Sequence, residues 1–125
     1  MIDRKLVYNK YNGRCAYSGT QLEEDWQIDH KNPKKNGGTD DIDNLMPVQR
    51  IINHYKRASG LELFRIWLLG GLHHRLKKLP KNPKTMKSKK KKEYLLDVAK
   101  YFNITADKPF CGKFYFETYI GEATK

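Results

Sequence analysis

Five polar residues in the first half of the chain have side chains suited to hydrolysing a phosphodiester. They are the adjacent pair Asp29 and His30, then Asn44, and then Asn53 and Lys56. Hydrolysis of a phosphodiester needs a base that deprotonates water and a cation that offsets charge on the phosphoryl oxygens. Neutral histidine is the natural base near pH 7, and carboxylate and amide oxygens suit Mg²⁺ or Mn²⁺. These residue types therefore indicate metal-assisted hydrolysis.

The sequence pattern places these residues at a strand end, beside a loop and on a helix. Trp26 and Ile28 fall on one face of a short predicted strand over 26–29. Residues 31–43 are polar and rich in proline and glycine, so they predict a loop. Residues 44–59 predict a helix, whose apolar stripe is formed by Val48, Ile51, Ile52 and Tyr55. The polar face of the same helix carries Arg50, Asn53, His54 and Arg57.

Helical spacing predicts three further helices, and alternation predicts an extended segment near the C-terminus. The first helix covers 3–11, with Asp3 as its N-cap. The second covers 61–79, where Gly70 and Gly71 interrupt the pattern at about 1 kcal/mol each, so two separate helices are the alternative. The third covers 93–102, and residues 113–120 alternate like a terminal strand. Together these elements predict an α+β fold.

The order and spacing of the polar residues resemble the HNH endonucleases, also called ββα-metal nucleases. The resemblance covers about residues 15–56, and it is carried by Asp29-His30-x-x-Pro33, Gly37-Gly38, Asn44-Leu45 and Asn53-x-x-Lys56. It implies a small ββα core over 1–60. Residues 61–125 are then expected to form a helical, lysine-rich extension that packs on the core and contacts DNA.

The resemblance also implies roles for individual residues of the core. His30 stands at the position of the general base, and Asn44 at that of the asparagine that pins the loop and orients the base. Asn44 is equally suited to be a plain helix N-cap. Asp29 and Asn53 stand at metal-ligand positions, with His54 as an alternative ligand if the helix is rotated by one residue. The implied cofactor is Mg²⁺ or Mn²⁺.

A structural zinc ion is not expected, although many HNH proteins hold one with two cysteine pairs. The first pair is reduced here to Cys15-Ala-Tyr-Ser18, and the second pair is absent. A tetrahedral zinc site needs about four thiolate or imidazole ligands, which one cysteine cannot supply. The turn is therefore expected to be held by packing of Tyr17, Leu22 and Trp26.

The positive charge of the chain is concentrated in one segment. The formal net charge is +11, and nine lysines without an acid lie between Lys77 and Lys92. Such a segment suits the phosphates of a polyanion, whereas a solvated lysine-rich loop is the alternative interpretation. The predicted contacts to the DNA backbone are Lys56, Arg50, Arg57, Lys89, Lys90, Lys91 and Lys92.

Several classes of protein do not fit this composition. The apolar stretch 66–72 is far shorter than the ~20 residues of a membrane span, and no secretory signal is visible. Two distant cysteines suit a reducing compartment, so we expect an intracellular, cytoplasmic protein of a bacterium or phage-infected host. No membrane and no obligatory protein partner are expected.

The resulting hypothesis is a metal-dependent HNH endodeoxyribonuclease. Free-standing HNH proteins of this size resemble phage, mobile-element and restriction nucleases. Two alternatives remain open, which are a nucleic-acid-binding protein with a decayed nuclease core and a ribonuclease that uses the same site. The sequence does not report on recognition of the 2′-hydroxyl that distinguishes RNA from DNA.

Overall fold

The computed structural model describes residues 2–119, and the chain forms two compact units. The first unit contains the chain up to Leu61 and resumes at Lys113. The second unit is Glu62–Gly112. The sequence pattern predicts no such return of the chain to the first unit.

The first unit is built on a pair of strands and a helix. Strand β1 (Gln27–His30) pairs antiparallel with β2 (Leu45–Val48), and Asp29 lies opposite Met46. Helix α2 (Arg50–Lys56) follows β2 directly and contacts β1. The predicted α+β class is confirmed, and the arrangement is consistent with a small ββα core.

The predicted helix over 44–59 is wrong at its beginning. Leu45–Val48 form strand β2, all four residues are buried, and the helix begins only at Arg50. Pro47 has no amide hydrogen to donate within a helix, whereas strand β1 offers the segment a pairing partner. The helix ends after Lys56, where Arg57 adopts a φ of 56°.

The two ends of the described chain add short helices to the first unit. Helix α1 (Arg4–Asn9) begins at the predicted N-cap, since the Asp3 carboxylate accepts hydrogen bonds from the amides of Lys5 and Leu6. The predicted extended segment over 113–120 is wrong in its centre, where Tyr115–Thr118 form a helix. Ile120 lies outside the described residues.

The second unit is helical in all its regular elements within the described residues. Helix α3 (Leu61–Ile66) continues through a π-helical segment (Trp67–Leu72) into α4 (His73–Lys77). The two glycines therefore lie inside a wider helical turn instead of dividing two helices. A further helix, α5, covers Met86–Tyr101.

Helix α5 begins well before the predicted start at residue 93. The Thr85 hydroxyl accepts a hydrogen bond from the amide of Ser88 and caps the helix. Most of the lysine run is therefore helical. The short final helix, Tyr115–Thr118, is α6. No helix within the described part of the chain is both long and apolar enough to span a membrane.

Candidate functional site

The loop between β1 and β2 is closed by the side chain of Asn44. Its Oδ1 accepts a hydrogen bond from the Asn32 amide at 2.8 Å. Its Nδ2 donates to the carbonyls of Asn32 at 3.0 Å and Thr39 at 2.8 Å. One amide thus holds two distant parts of the loop. The alternative of a plain helix N-cap is wrong, because a strand and not a helix follows Asn44.

Gly38 is required by the close approach of two loop segments. A Cβ atom at this position would lie 1.7 Å from the carbonyl oxygen of Asn32, and no side-chain rearrangement could relieve a contact with backbone. The same Asn32 carbonyl accepts the hydrogen bond from Asn44. The glycine and the asparagine therefore produce one compact loop conformation.

His30 is the last residue of β1, and its ring reaches the surface. The side chain is 24% exposed, and its Nε2 lies 2.7 Å from Oδ1 of Asp40. Lys34 donates to the other oxygen of the same carboxylate at 3.2 Å. These hydrogen bonds from His30 and Lys34 hold the pKa of Asp40 below its ordinary value.

Asp40 was not predicted as a site residue from the sequence. A carboxylate in a polar loop shows no periodicity, and only the folded path of the loop brings residue 40 beside residue 30. The nearest available signal is the position of Asp40 shortly after the glycine pair that closes the loop. That signal is too weak to identify a partner for His30.

Asp29 lies on the opposite face of β1, because successive strand residues point to opposite sides. Its Oδ2 accepts a hydrogen bond from the Tyr17 hydroxyl at 2.7 Å and lies 3.0 Å from Nζ of Lys56. Burial raises the pKa of the Asp29 carboxyl, while Lys56 and Tyr17 partly offset that rise. Burial and the adjacent carboxylate raise the pKa of Tyr17 well above its ordinary value.

The predicted contact between Lys56 and a substrate phosphate is contradicted by burial. The Lys56 side chain is 0% exposed, and its ammonium donates to the carbonyls of His30 at 3.3 Å and Ser59 at 2.8 Å. A solvent-borne phosphate cannot reach a group enclosed in this way. Lys56 is instead the internal cation that faces Asp29.

Asn53 faces the same side of β1 as Asp29. Its Nδ2 donates to Oε1 of Gln27 at 2.7 Å, and Gln27 alternates with Asp29 along one strand face. Apart from the buried Lys56, the remaining polar side chains on α2 and directly after it lie at the surface. His54 and Arg57 are exposed, and Arg50 lies 3.9 Å from the Asp25 carboxylate at the surface. The structure therefore brings Asn53 and Asp29 to one face and His30 to the other.

The side chains around Asp29 do not fit a divalent metal ion as they are arranged. Lys56 already neutralises Oδ2 at contact distance, and a second cation beside the same oxygen would be repelled. Within residues 2–119, no three His, Cys, Asp or Glu side chains come together as a metal site. The predicted ligand roles of Asp29 and Asn53 therefore gain no support from the geometry.

Gln49 stabilises the turn after Cys15, a role that was not predicted from the sequence. Its Nε2 donates to the Thr20 hydroxyl at 3.0 Å and to the Gln21 carbonyl at 2.7 Å. Its Oε1 accepts from the Glu23 amide at 3.1 Å. Gln49 is buried at the start of α2, so these bonds join the turn to the helix. The sequence offers no signal for this role, because residue 49 falls inside the helix predicted over 44–59.

The three residues that were predicted to pack around this turn are Tyr17, Leu22 and Trp26. Tyr17 and Leu22 are buried, and the Tyr17 ring packs edge-on against Phe114 with 5.2 Å between centroids. The Arg4 guanidinium lies 4.1 Å above the Trp26 ring. Cys15 is also buried and is a free cysteine. Side-chain packing and the Gln49 amide thus act together on this turn.

The second unit carries most of the positive charge. It holds thirteen Lys and Arg residues against four Asp and Glu residues, a formal charge of +9. Lys89, Lys90 and Lys91 are exposed near the start of α5. Lys92 instead donates to the carbonyls of Pro80 and Lys81, at 2.9 Å each, and supports the preceding loop.

The lysines near the start of α5 do not stabilise the helix electrostatically. The N-terminus of a helix is the positive end of its dipole, where a cation is unfavourable by about 0.3–1 kcal/mol. The first turn of α5 contains no acidic residue. The lysine-rich segment from residue 86 onward is thus helical and not a loop, and the dipole disfavours the lysine in its first turn, Lys87.

Comparison with known proteins finds a resemblance within the first unit. The family model described as HNH endonuclease matches residues 13–50, a range that includes Asp29, His30, Asp40 and Asn44. Asn53 and Lys56 lie just beyond the matched range. No curated protein and no solved structure matches the chain. The match confirms that this chain resembles the HNH endonuclease family, and residues 13–50 are the segment that carries the resemblance.

Proposed function

We propose that this protein is an HNH-type endonuclease that hydrolyses phosphodiester bonds of DNA, with His30 as the general base. The HNH match indicates a nuclease-type hydrolase. The observation that carries the proposal is His30 itself, a partly exposed imidazole at a strand end whose Nε2 contacts a carboxylate. A histidine so placed can accept a proton from water at neutral pH.

Nucleic acid is the substrate class that the family suggests, and the charge of the second unit supports contact with the phosphate backbone of such a substrate. The +9 charge of that unit suits phosphates, and lysine contacts them without reading bases. On the first unit, exposed Arg50 in α2 and exposed Arg57 directly after it are further proposed phosphate contacts. A phage, mobile-element or restriction setting is part of the same proposal.

The direct test is incubation of supercoiled plasmid with purified protein, followed by separation of nicked, linear and intact forms. A matched single-stranded and double-stranded RNA substrate tests the ribonuclease alternative. Binding without cleavage of any substrate would favour the alternative of a decayed, binding-only protein. Cleavage of RNA with intact plasmid would overturn the proposed preference for DNA.

The requirement for a divalent metal is supported by the family match and not by the geometry at Asp29. HNH nucleases generally use a divalent metal ion. Asp29 and Asn53 remain the ligands that the family resemblance suggests, with exposed His54 as the alternative. The chemistry that such an ion supplies is charge stabilisation at the phosphoryl oxygens.

Plasmid cleavage is expected in Mg²⁺ or Mn²⁺ and is expected to be lost in excess EDTA. The fold is expected to survive chelation, because side chains of the protein stabilise this region. Lys56 pairs with Asp29, and Gln49 donates hydrogen bonds to Thr20 and Gln21. Cleavage assays and circular dichroism on the same EDTA-treated sample measure both. Full activity in EDTA, or cooperative unfolding on its addition, would contradict this prediction.

Replacing Lys89, Lys90 and Lys91 together by glutamine is expected to weaken binding to all duplexes alike. Neutralising one phosphate contributes about 0.9 to the slope of log affinity against log salt, so three substitutions flatten that slope by up to about 2.7. Fluorescence anisotropy on two unrelated duplexes, from low to moderate salt, measures the slope. The double variant Lys5→Gln/Lys35→Gln removes exposed lysines of the first unit as a control. An unchanged slope would mean that the run is a solvated surface.

A further inference from the structure

The structure leaves one carboxylate at the site without an assigned role. Asp40 accepts the closest contact that His30 makes, at 2.7 Å, yet it was not among the predicted site residues. We propose that Asp40 is the positioning residue of the proposed general base, which sets the orientation and the tautomer of the His30 ring. This inference rests on the proposed function for the role of His30 in cleavage.

The loop holds the backbone beside Asp40 in place. Asn44 donates to the carbonyl of Thr39, the residue that directly precedes Asp40. Gly38, one residue earlier, packs against the Asn32 backbone so closely that no side chain fits. The carboxylate therefore stands on an anchored backbone, although its side chain is exposed. A partner fixed in this way can orient a ring, whereas a mobile one could not.

The chemistry of the pair determines which ring nitrogen is basic. An ionised carboxylate only accepts hydrogen bonds, so Nε2 of His30 carries the hydrogen in this contact. In the neutral ring the lone pair then lies on Nδ1, which is the atom that would take a proton from water. Lys34 on the other oxygen favours the ionised form of Asp40. The tautomer thus follows from the partner and not from the ring alone.

Asp29 cannot perform this function, although it adjoins His30 in sequence. Its carboxylate lies on the opposite face of β1 and is occupied by Tyr17 and Lys56. Among the carboxylates that the structure describes, Asp40 is the one that bonds the His30 ring. The proposal therefore singles out Asp40.

The first experiment reads the tautomer without any cleavage. Long-range ¹H–¹⁵N spectra of the neutral histidine rings are recorded for wild type, Asp40→Ala and Asp41→Ala. The chain has four histidines, and the set of ring signals that is missing from the spectrum of His30→Ala belongs to His30. Wild type and Asp41→Ala are expected to show an Nε2–H ring, and Asp40→Ala a mixture of tautomers. A His30 ring with hydrogen on Nδ1 in wild type would overturn the proposal.

The second experiment measures cleavage at varied plasmid concentration. Asp40→Ala is expected to lower kcat by about 10- to 100-fold, by analogy with the loss of a carboxylate that orients a metal-ligating histidine. The plasmid concentration that gives half-maximal rate should stay within about twofold, because Asp40 is not proposed to bind DNA. Asp41→Ala removes an equal charge from the next loop residue, which contacts Thr39 and not His30. An equal effect of both variants on kcat would overturn the proposal.

The two readouts separate this inference from the proposed function. If wild type shows the Nε2–H ring but cleaves no substrate, the positioning contact stands and the proposed function fails. If wild type cleaves DNA and Asp40→Ala cleaves it equally well, the function stands and the positioning role fails. Circular dichroism of each variant excludes unfolding as the cause of a reduced rate.

Discussion

Replacing His30 with alanine is expected to lower the rate of DNA cleavage by at least about 100-fold, while binding to DNA is retained. The imidazole is the titratable side chain at the end of β1 that is both partly exposed and held by a carboxylate. Alanine leaves the strand pairing of residue 30 with Leu45 intact, because that pairing uses only backbone atoms. The variant therefore removes a proton acceptor without removing a structural contact of the sheet.

Single-turnover cleavage of plasmid measures the rate, and fluorescence anisotropy on a labelled duplex measures binding to DNA. His74→Ala is the matched control, because His74 is exposed in the second unit and has no proposed role. Near-wild-type cleavage by His30→Ala, in a preparation freed of contaminating nuclease, would refute His30 as the base. An equal decrease in His74→Ala would show that the effect is not specific to the site.

Replacing Lys56 with methionine is expected to lower the free energy of unfolding by about 3–5 kcal/mol, the usual cost of leaving a buried charge without its partner. Methionine preserves most of the side-chain volume, so the destabilisation is electrostatic and not a cavity effect. Asp29 would remain buried with the Tyr17 hydroxyl as its remaining hydrogen-bond donor. The carbonyls of His30 and Ser59 would also be deprived of the ammonium.

Urea unfolding followed by tryptophan fluorescence measures this destabilisation. The double variant Asp29→Asn/Lys56→Met removes both charges and is expected to be more stable than Lys56→Met alone. Lys35→Met, at an exposed position, controls for an added methionine. If Lys56→Met unfolds at the wild-type urea concentration, or if the double variant is no more stable, Lys56 is not the internal cation of Asp29.

Short-range patterns in the sequence were enough to identify the family resemblance, the α+β class and the helix cap at Asp3. An adjacent Asp29-His30 pair, a loop with two glycines and correctly spaced asparagines are local features that need no knowledge of packing. An N-cap is equally local, because its hydrogen bonds reach only two or three residues along the chain.

Long-range contacts account for what the sequence could not determine. Leu45–Val48 became a strand because β1 offered a partner, although their apolar spacing also suited a helix. Lys56 is a typical surface residue by type, and its burial depends on Asp29 standing opposite it once α2 lies against β1. Asp40 meets His30 only because Asn44 and Gly38 close the loop between them. The sequence by itself determined which residues could do chemistry, whereas the tertiary structure decided which of them face each other, since that pairing depends on loop closure and helix packing.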